Sequence, residues 1–372
     1  MARTPDRKAG LLADVRALAE QHLAPHATAI DTEARYPAAA LRALGTAGAF
    51  AAALPASQGG QGLDLAAQAA VIDAISAVCG CTGFLAWSQA AAAATVAFGD
   101  NPALQQTLLP ELADGRLPAG NGLSNALRHL AGLETLRLNA RRSGEGYLVS
   151  GALPWISNIA PGHVFISAAA LEDGGLLLFL VRGDADGLAL EACPPLAGLN
   201  GSLTHTCRLA DVYVPAADVV AGPETSTALL LRLRGWLALS QTGLGLGIVD
   251  GCLHDIREAG HTQAELNRHL PEQEDTLAAA LHSARERTRR LAAQFDDPAA
   301  YADVLRLRAR TAELALRAAT AALLHAGSRG YLLRHPAQRR LREAGFFAIV
   351  TPALKQLHKE LSQLERGSRR AA

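Results

Sequence analysis

Aromatic residues are scarce in this 372-residue chain, at 4%, and it holds one methionine and five cysteines. A core so poor in rings is filled mostly by Leu, Ala and Val, an economy that suits packed helices. The cysteines (Cys79, Cys81, Cys193, Cys207 and Cys252) are odd in number and mostly sit in apolar surroundings. That argues against a disulfide scaffold and for a reducing compartment. Cys79-Gly80-Cys81 is not followed by a second Cys/His pair at zinc spacing, which favours buried thiols near a helix end over a metal site. Net charge of one sign is missing too: 35 Lys plus Arg balance 35 Asp plus Glu. Nothing global therefore steers the chain to nucleic acid or membrane. No stretch of about 18 apolar residues runs without polar interruption, which argues against a membrane span. The start carries Arg3, Asp6, Arg7 and Lys8 and continues as an amphipathic pattern, unlike a secretory signal. The expected location is the cytoplasm.

What is present is helical periodicity at both ends and alternation in the middle. Leu11, Leu12, Val15, Leu18, Ala19 and Leu23 make one helical face, and Leu41, Leu44 and Ala47 another. The turn-rich loop Pro55-Ala56-Ser57-Gln58-Gly59-Gly60-Gln61-Gly62 interrupts them. Helices fit 64–78 and 83–98, and Asn101-Pro102 reads as a cap with a first-turn proline. Near Pro118 the period falls to two. Strands are expected at 146–151, 164–170, 176–181, 188–192 and 206–214, separated by Gly, Asp and Pro. After Pro223 helical spacing returns almost to the end. The expected fold class is α+β, with an N-terminal helical domain (1–117), a small β-barrel-like middle domain (118–221) and a C-terminal four-helix bundle (222–372).

Several strings fall in order along this frame. Leu54-Pro55 precedes Gly59-Gly60-Gln61-Gly62-Leu63, and Gly146-Tyr147 precedes Trp155-Ile156-Ser157-Asn158. Asp211-Val212-Tyr213-Val214-Pro215 closes the β region. Gly327-Ser328-Arg329-Gly330-Tyr331 is followed by His335-Pro336 and Arg342-Glu343-Ala344. In this order and spacing, over nearly the whole chain, the sequence resembles the acyl-CoA dehydrogenase superfamily. The resemblance implies a FAD-dependent oxidoreductase acting on the CH–CH bond of an acyl thioester. It also implies a homodimer or homotetramer assembled through the C-terminal bundle. A flavin needs one ring face shielded, donors along its edges, and a dipole or amides at its pyrophosphate. By resemblance Trp155 covers the ring, Ile156 offers backbone groups near N5, and Ser157 reaches the flavin or phosphate side. Ser124, in Gly122-Leu123-Ser124-Asn125, would contact the ring edge, and Gly327 and Gly330 belong to the glycine-rich turn. On spacing alone, Trp155 reads better as a core aromatic at a sheet edge and Ser124 as a helix or turn cap; the surrounding strings favour flavin contact for Trp155 and Ser157 and leave Ser124 even.

The resemblance also locates a base, and there the pattern fails. Family dehydrogenases remove the proton α to the thioester with a glutamate, whose pKa desolvation can raise toward neutrality. The usual position, eight residues after Glu343, reads Thr351-Pro352. The family's second position, in the first bundle helix, falls within Leu233-Arg234-Gly235-Trp236-Leu237. Thr351 and Gly235 thus stand where a carboxylate is expected, and no catalytic residue is assigned. The arginine and Phe-Gly pair that reach a partner's flavin pyrophosphate are also missing from the loop expected at 258–265, where His261 stands near the arginine's place. Arg329 is either a substitute charge or an exposed surface arginine.

Two alternatives follow. Flavin hydroxylases of the same fold lack the glutamate and use reduced flavin with oxygen in a dry pocket; Pro336-Ala337-Gln338-Arg339 resembles their string. Trp87-Ser88 has similar company, although helix packing explains Trp87 better. The second alternative is a non-catalytic flavin- or nucleic-acid-binding protein. From residue 281 onward 18 Lys and Arg stand against 8 Asp and Glu, including Arg285, Arg287, Arg289 and Arg290. With Arg306, Arg308 and Arg310, their spacing distributes them around helices, which favours solvated faces and subunit contacts over a nucleic-acid stripe.

Overall fold

The fold starts from small residues that let helices approach closely. In the computed structural model, which describes residues 4–371 except 173, six helices precede the sheet. They are α1 (Thr4–His22), α2 (Ala27–Thr32), α3 (Ala38–Thr46), α4 (Leu65–Val78), α5 (Gly80–Phe98) and α6 (Pro102–Ala113). The outermost ends of the first and third expected units, 1–3 and 372, lie outside the described residues. Caps set the boundaries: the Asp64 carboxylate accepts from Ala67 N at 2.7 Å, and Asn101 Oδ1 accepts from Leu104 N at 3.1 Å. Helix α5 alone among the described residues is long and apolar enough to cross a bilayer, yet it is the buried central helix of the first core.

The middle of the chain forms one eight-stranded sheet: β1 (Ala119–Asn121), β2 (Leu138–Ser143), β3 (Gly146–Ile156), β4 (Val164–Leu171), β5 (Leu176–Arg182), β6 (Leu188–Ala192), β7 (His205–Pro215) and β8 (Val219–Ala221). Its ladder runs β6-β7-β3-β2-β4-β5-β8, with β1 joining β4 off this path. Pairing is antiparallel except where β4 meets β1 and β2. Strands β4 and β5 are buried on both faces. Val164, Ile166 and Ala168 join the core shared with the helices, whereas Phe165 and Ala169 join a second core on the far face. This explains their unbroken apolar runs. A short helix, α7 (Ser124–Leu130), interrupts the β region between β1 and β2. The sequence reading did not foresee it.

The C-terminal unit contains α8 (Ser226–Asn267), α9 (Glu274–Ala292), α10 (Tyr301–Ala326) and α11 (Pro336–Ile349), with a fifth helix, α12 (Leu354–Ala371), packed along α10. Helix α8 crosses α4 so closely that a Cβ at Gly247 would stand 2.2 Å from the Asp73 carbonyl oxygen. The whole is mixed α+β, with helices, a central sheet and helices in chain order.

Candidate active site

Backbone strain concentrates at the end of β3. Trp155 and Asn158 have φ of 59° and 60°, and in the facing segment Leu199 and Leu203 have φ of 60° and 48°. Left-handed conformations at such residues cost on the order of 1–3 kcal/mol each and cluster at functional sites. The two segments are tied together: Asn158 N donates to Ser202 O at 2.8 Å, and Ile159 N to Leu203 O at 3.3 Å. The Ser157 hydroxyl lies 2.7 Å from Thr204 Oγ1, which also meets Ser202 Oγ at 2.7 Å. Tyr36 donates its hydroxyl to Asn158 Oδ1 at 2.7 Å, and Asn158 Nδ2 donates to Ala119 O at 3.0 Å. The turn is therefore anchored to the first helical unit and to β1. His163 Nδ1 lies 3.2 Å from Asn158 O, and burial lowers the pKa of its ring. The side chains diverge sharply here. Ile156 is buried in the far-face core, whereas Trp155 stands 67% exposed.

A second cluster joins the β region to the bundle. Ser124, the first residue of α7, places its hydroxyl 2.6 Å from the Thr351 hydroxyl in the α11–α12 turn. Gln241 of α8 donates from Nε2 to the Thr351 carbonyl at 3.2 Å. Its own Oε1 accepts from Arg308 Nε at 3.0 Å. Arg308, on α10, is 0% exposed. Its Nη2 donates to Phe347 O at 2.7 Å, and its guanidinium stacks 3.6 Å from the Phe347 ring. Its Nη1 has no hydrogen-bond partner among the described residues, and burial pushes its pKa down to about 9.

Beside Thr351 lies a cavity of about 40 Å³ walled by α7, α8, α10 and α12. Its volume is on the scale of a water molecule. Glu360 lines it, and its oxygens accept from Tyr301 Oη at 3.3 Å and Gln356 Nε2 at 2.8 Å. Gly235 presents no alternative, because a Cβ there would lie 2.0 Å from Phe295 O. A carboxylate-bearing side chain at that position requires the backbone to move.

The residues singled out from the sequence thus fall into three groups. Ser124 meets Thr351; Trp155, Ile156 and Ser157 form the strained turn; Gly327 and Gly330 lie apart, between α10 and α11. Gly327 adopts φ of 60° and Gly330 is buried, whereas Arg329 is exposed. One expectation is corrected. Residues 258–265 are not an open loop: they are helical except at Gln263, where α8 kinks before running on to Asn267. His261 stands 3.7 Å from Glu258. Arg342 Nη1 donates to Asp31 Oδ1 at 2.6 Å, while Glu343 Oε1 accepts from Gly80 N at 2.9 Å. Trp87 is a packing residue, buried against Phe84 with its indole N–H donated to Ser240 Oγ at 3.0 Å.

Sequence reasoning missed Gln241, Arg308 and Glu360. Arg308 did leave a signal, since it lies on the stripe Val304, Ala312 and Ala315, where the helix is otherwise apolar.

Comparison with known proteins bears on these features. The family profile described as "Acyl-CoA dehydrogenase, N-terminal domain" matches residues 5–116. The first third of the chain thus matches that family's N-terminal domain, and nearly the whole chain is similar to acyl-CoA dehydrogenases. Among its relatives is "Probable acyl-CoA dehydrogenase YngJ" of Bacillus subtilis (strain 168), 25% identical over 361 residues, covering 90% of this chain and 91% of that one. The fold matches the glutaryl-CoA complex of glutaryl-coenzyme A dehydrogenase with a TM-score of 0.87 and 21% identity, over 97% of this chain and 95% of the other. It also matches PigA with FAD and proline, with a TM-score of 0.84 and 17% identity, over 97% and 98% of the two chains.

Proposed function

We propose that this protein is a member of the acyl-CoA dehydrogenase superfamily, a flavin-dependent oxidoreductase that binds FAD beside the Trp155 turn, between the sheet and the C-terminal helices. The observation that carries the reading is Trp155 itself, a large aromatic held in solvent by a strained backbone. A ring in that position suits one flavin face, and the Ser157 and Ser124 hydroxyls suit its polar edge. Ile156 contributes through its backbone, because its side chain is committed to the core. Gly327 and Gly330 are the candidates at the dinucleotide end. Bound FAD supplies a two-electron acceptor; the chain's own residues orient it and shield it from water. Support comes from the relatives named as acyl-CoA dehydrogenases and the solved neighbour that carries FAD. Purified protein should absorb near 450 nm, the expected region for bound flavin, and Trp155→Ala should lower flavin occupancy more than Trp87→Ala. Equal loss from both variants counts against the site.

The substrate of this reading is an acyl thioester in a cytoplasmic, homo-oligomeric enzyme. Thr351 cannot serve as the proton-abstracting base, and Gly235 has no room for one. Ordinary saturated acyl-CoAs should therefore be desaturated about 10² to 10⁴ times more slowly than by a base-equipped relative. Reduction of an artificial electron acceptor measures this. Fast desaturation by the unmodified protein would refute the assignment of Thr351 to the base position, whereas Thr351→Glu should gain activity. The same hydroxyl in place of a carboxylate favours a second reading, a flavin monooxygenase, in which no α-proton is removed. Nucleic-acid binding has less support, because many of the C-terminal arginines are engaged. Arg285 pairs with Asp73 and Asp250, Arg287 and Arg306 with Asp303, and Arg289 with Glu286.

A further inference from the structure

A cavity of about 190 Å³ lies between the first helical unit and the sheet. Tyr36, Leu41, Arg42 and Phe50 wall it on the helical side, and Asn158 and His163 on the sheet side. Among the described residues, none from the C-terminal helices lines it, so it stands apart from the proposed flavin position. Its size suits one substituted six-membered ring, since an apolar cavity of about 150 Å³ takes up benzene. Three of its side chains are themselves rings. Tyr36 and His163 stand with centroids 5.9 Å apart, inclined at 45°, and Phe50 is buried. Such walls favour a planar aromatic guest.

Two polar features give that guest a direction. His163 Nδ1 lies 3.2 Å from the Asn158 carbonyl oxygen, which can only accept, so Nδ1 carries the proton. Burial lowers the pKa of the ring and favours its neutral form. In that form Nε2 is an acceptor, and it has no partner among the described residues. Arg42, exposed on α3, forms no ion pair or side-chain hydrogen bond among the described residues. Other polar groups nearby are already committed. Gln89 donates its amide protons to Leu112 O and Leu117 O, both at 2.9 Å, and Asp114 is held by Arg116 at 2.7 Å.

We propose that this cavity is a binding site for a monocyclic aromatic carboxylic acid bearing a ring hydroxyl, separate from the flavin site. The ring lies among Tyr36, Phe50 and His163, the hydroxyl donates to His163 Nε2, and the carboxylate pairs with Arg42 at the rim. The site also touches the Trp155 turn, because Tyr36 donates to Asn158 Oδ1 at 2.7 Å.

The test titrates the purified full-length protein with 4-hydroxybenzoate by calorimetry. Benzoate, which lacks the hydroxyl, and 4-hydroxybenzyl alcohol, which lacks the charge, serve as comparisons. A one-to-one complex is expected, tighter with 4-hydroxybenzoate than with either comparison compound. Arg42→Met should weaken 4-hydroxybenzoate about tenfold, the size of losing one hydrogen bond to a charged group, and abolish its advantage over the alcohol. His163→Phe should abolish its advantage over benzoate, a loss of roughly fivefold. Arg42 is exposed, so its variant decides the matter even if the His163 variant does not fold. Absence of binding at millimolar concentration overturns the site. Binding that Arg42→Met leaves unchanged overturns it as well, by placing the acid elsewhere on the protein.

Discussion

Asp73 lies buried on α4, and both of its carboxylate oxygens accept from Arg285 of α9 at 2.7 Å. Burial raises the carboxyl pKa, and the Arg285 guanidinium opposes that rise. Arg285 also reaches Asp250 at 2.8 Å, so one guanidinium serves two acids. Arg285→Ala should destabilise the fold by roughly 3–5 kcal/mol, because it strands a buried carboxylate. The sign of its pH dependence follows. Without Arg285 the folded-state pKa of Asp73 climbs further above its unfolded value, so the folded state holds its proton to higher pH. Stability is then lost as pH rises through that pKa, and the deficit should be larger at neutral than at mildly acidic pH. Urea unfolding at both conditions checks this; an equal deficit at both would refute it. The same scale shows what the sequence makes legible. The Trp155–Asn158 string stands out because it is local, and its strain is local as well. The Ser124–Thr351–Gln241–Arg308 chain spans four elements, so no short window of sequence contains it.

At the scale of elements, the strands were readable where alternation or an unbroken apolar run marked them. The strand expected at 188–192 is β6, and those expected at 164–170 and 176–181 end within one residue of β4 and β5. The three-residue strands β1 and β8 carry too little pattern to show periodicity; they exist because β4 and β5 offer them an edge. Helix α7 was hidden for a related reason. Its seven residues lie between two β segments, and its end at Leu130 is not marked by periodicity but by Gly132, which has φ of 65°. The loop expected at 258–265 has a different cause. Its place follows from the resemblance, whereas here the segment is helical across Gly260 and departs from helical angles at Gln263, where α8 kinks. Glycines elsewhere in α8 serve helix contact: Gly243 and Gly247 face the backbone of α4 at Ala69 and Asp73, which draws the first helical unit onto the bundle. The cleft beside Thr351 inherits its narrowness from such packing and from α7, whose Leu127 and Leu130 form one wall.

Across the whole molecule, the three regions are joined by polar links as well as by the shared core. Asp31 holds Arg342, Asp73 holds Arg285, and Tyr36 holds Asn158. One end of the bundle is left apolar and open. Leu266, Leu324, Tyr331, Leu332 and Leu333 are 73%, 50%, 83%, 63% and 63% exposed. They gather where α8 and α10 end, a junction tied by Asn267 Nδ2 donating to His325 O at 3.1 Å. Beside them runs a groove of about 320 Å³ that includes Leu270, Leu316 and Leu324. Monomeric proteins rarely expose large apolar side chains so densely. In the proposed homo-oligomer this end would meet a second copy. The expected result is a dimer or tetramer by light scattering, and Tyr331→Glu combined with Leu332→Asp should shift it toward monomer. Both positions are exposed, so the folded monomer should keep its helical circular dichroism. If FAD is completed by the partner, as the resemblance implies, the same variant should also lose flavin; a monomer that retains full flavin would show that each chain builds its own dinucleotide site. A variant that remains oligomeric would place the interface elsewhere on the bundle.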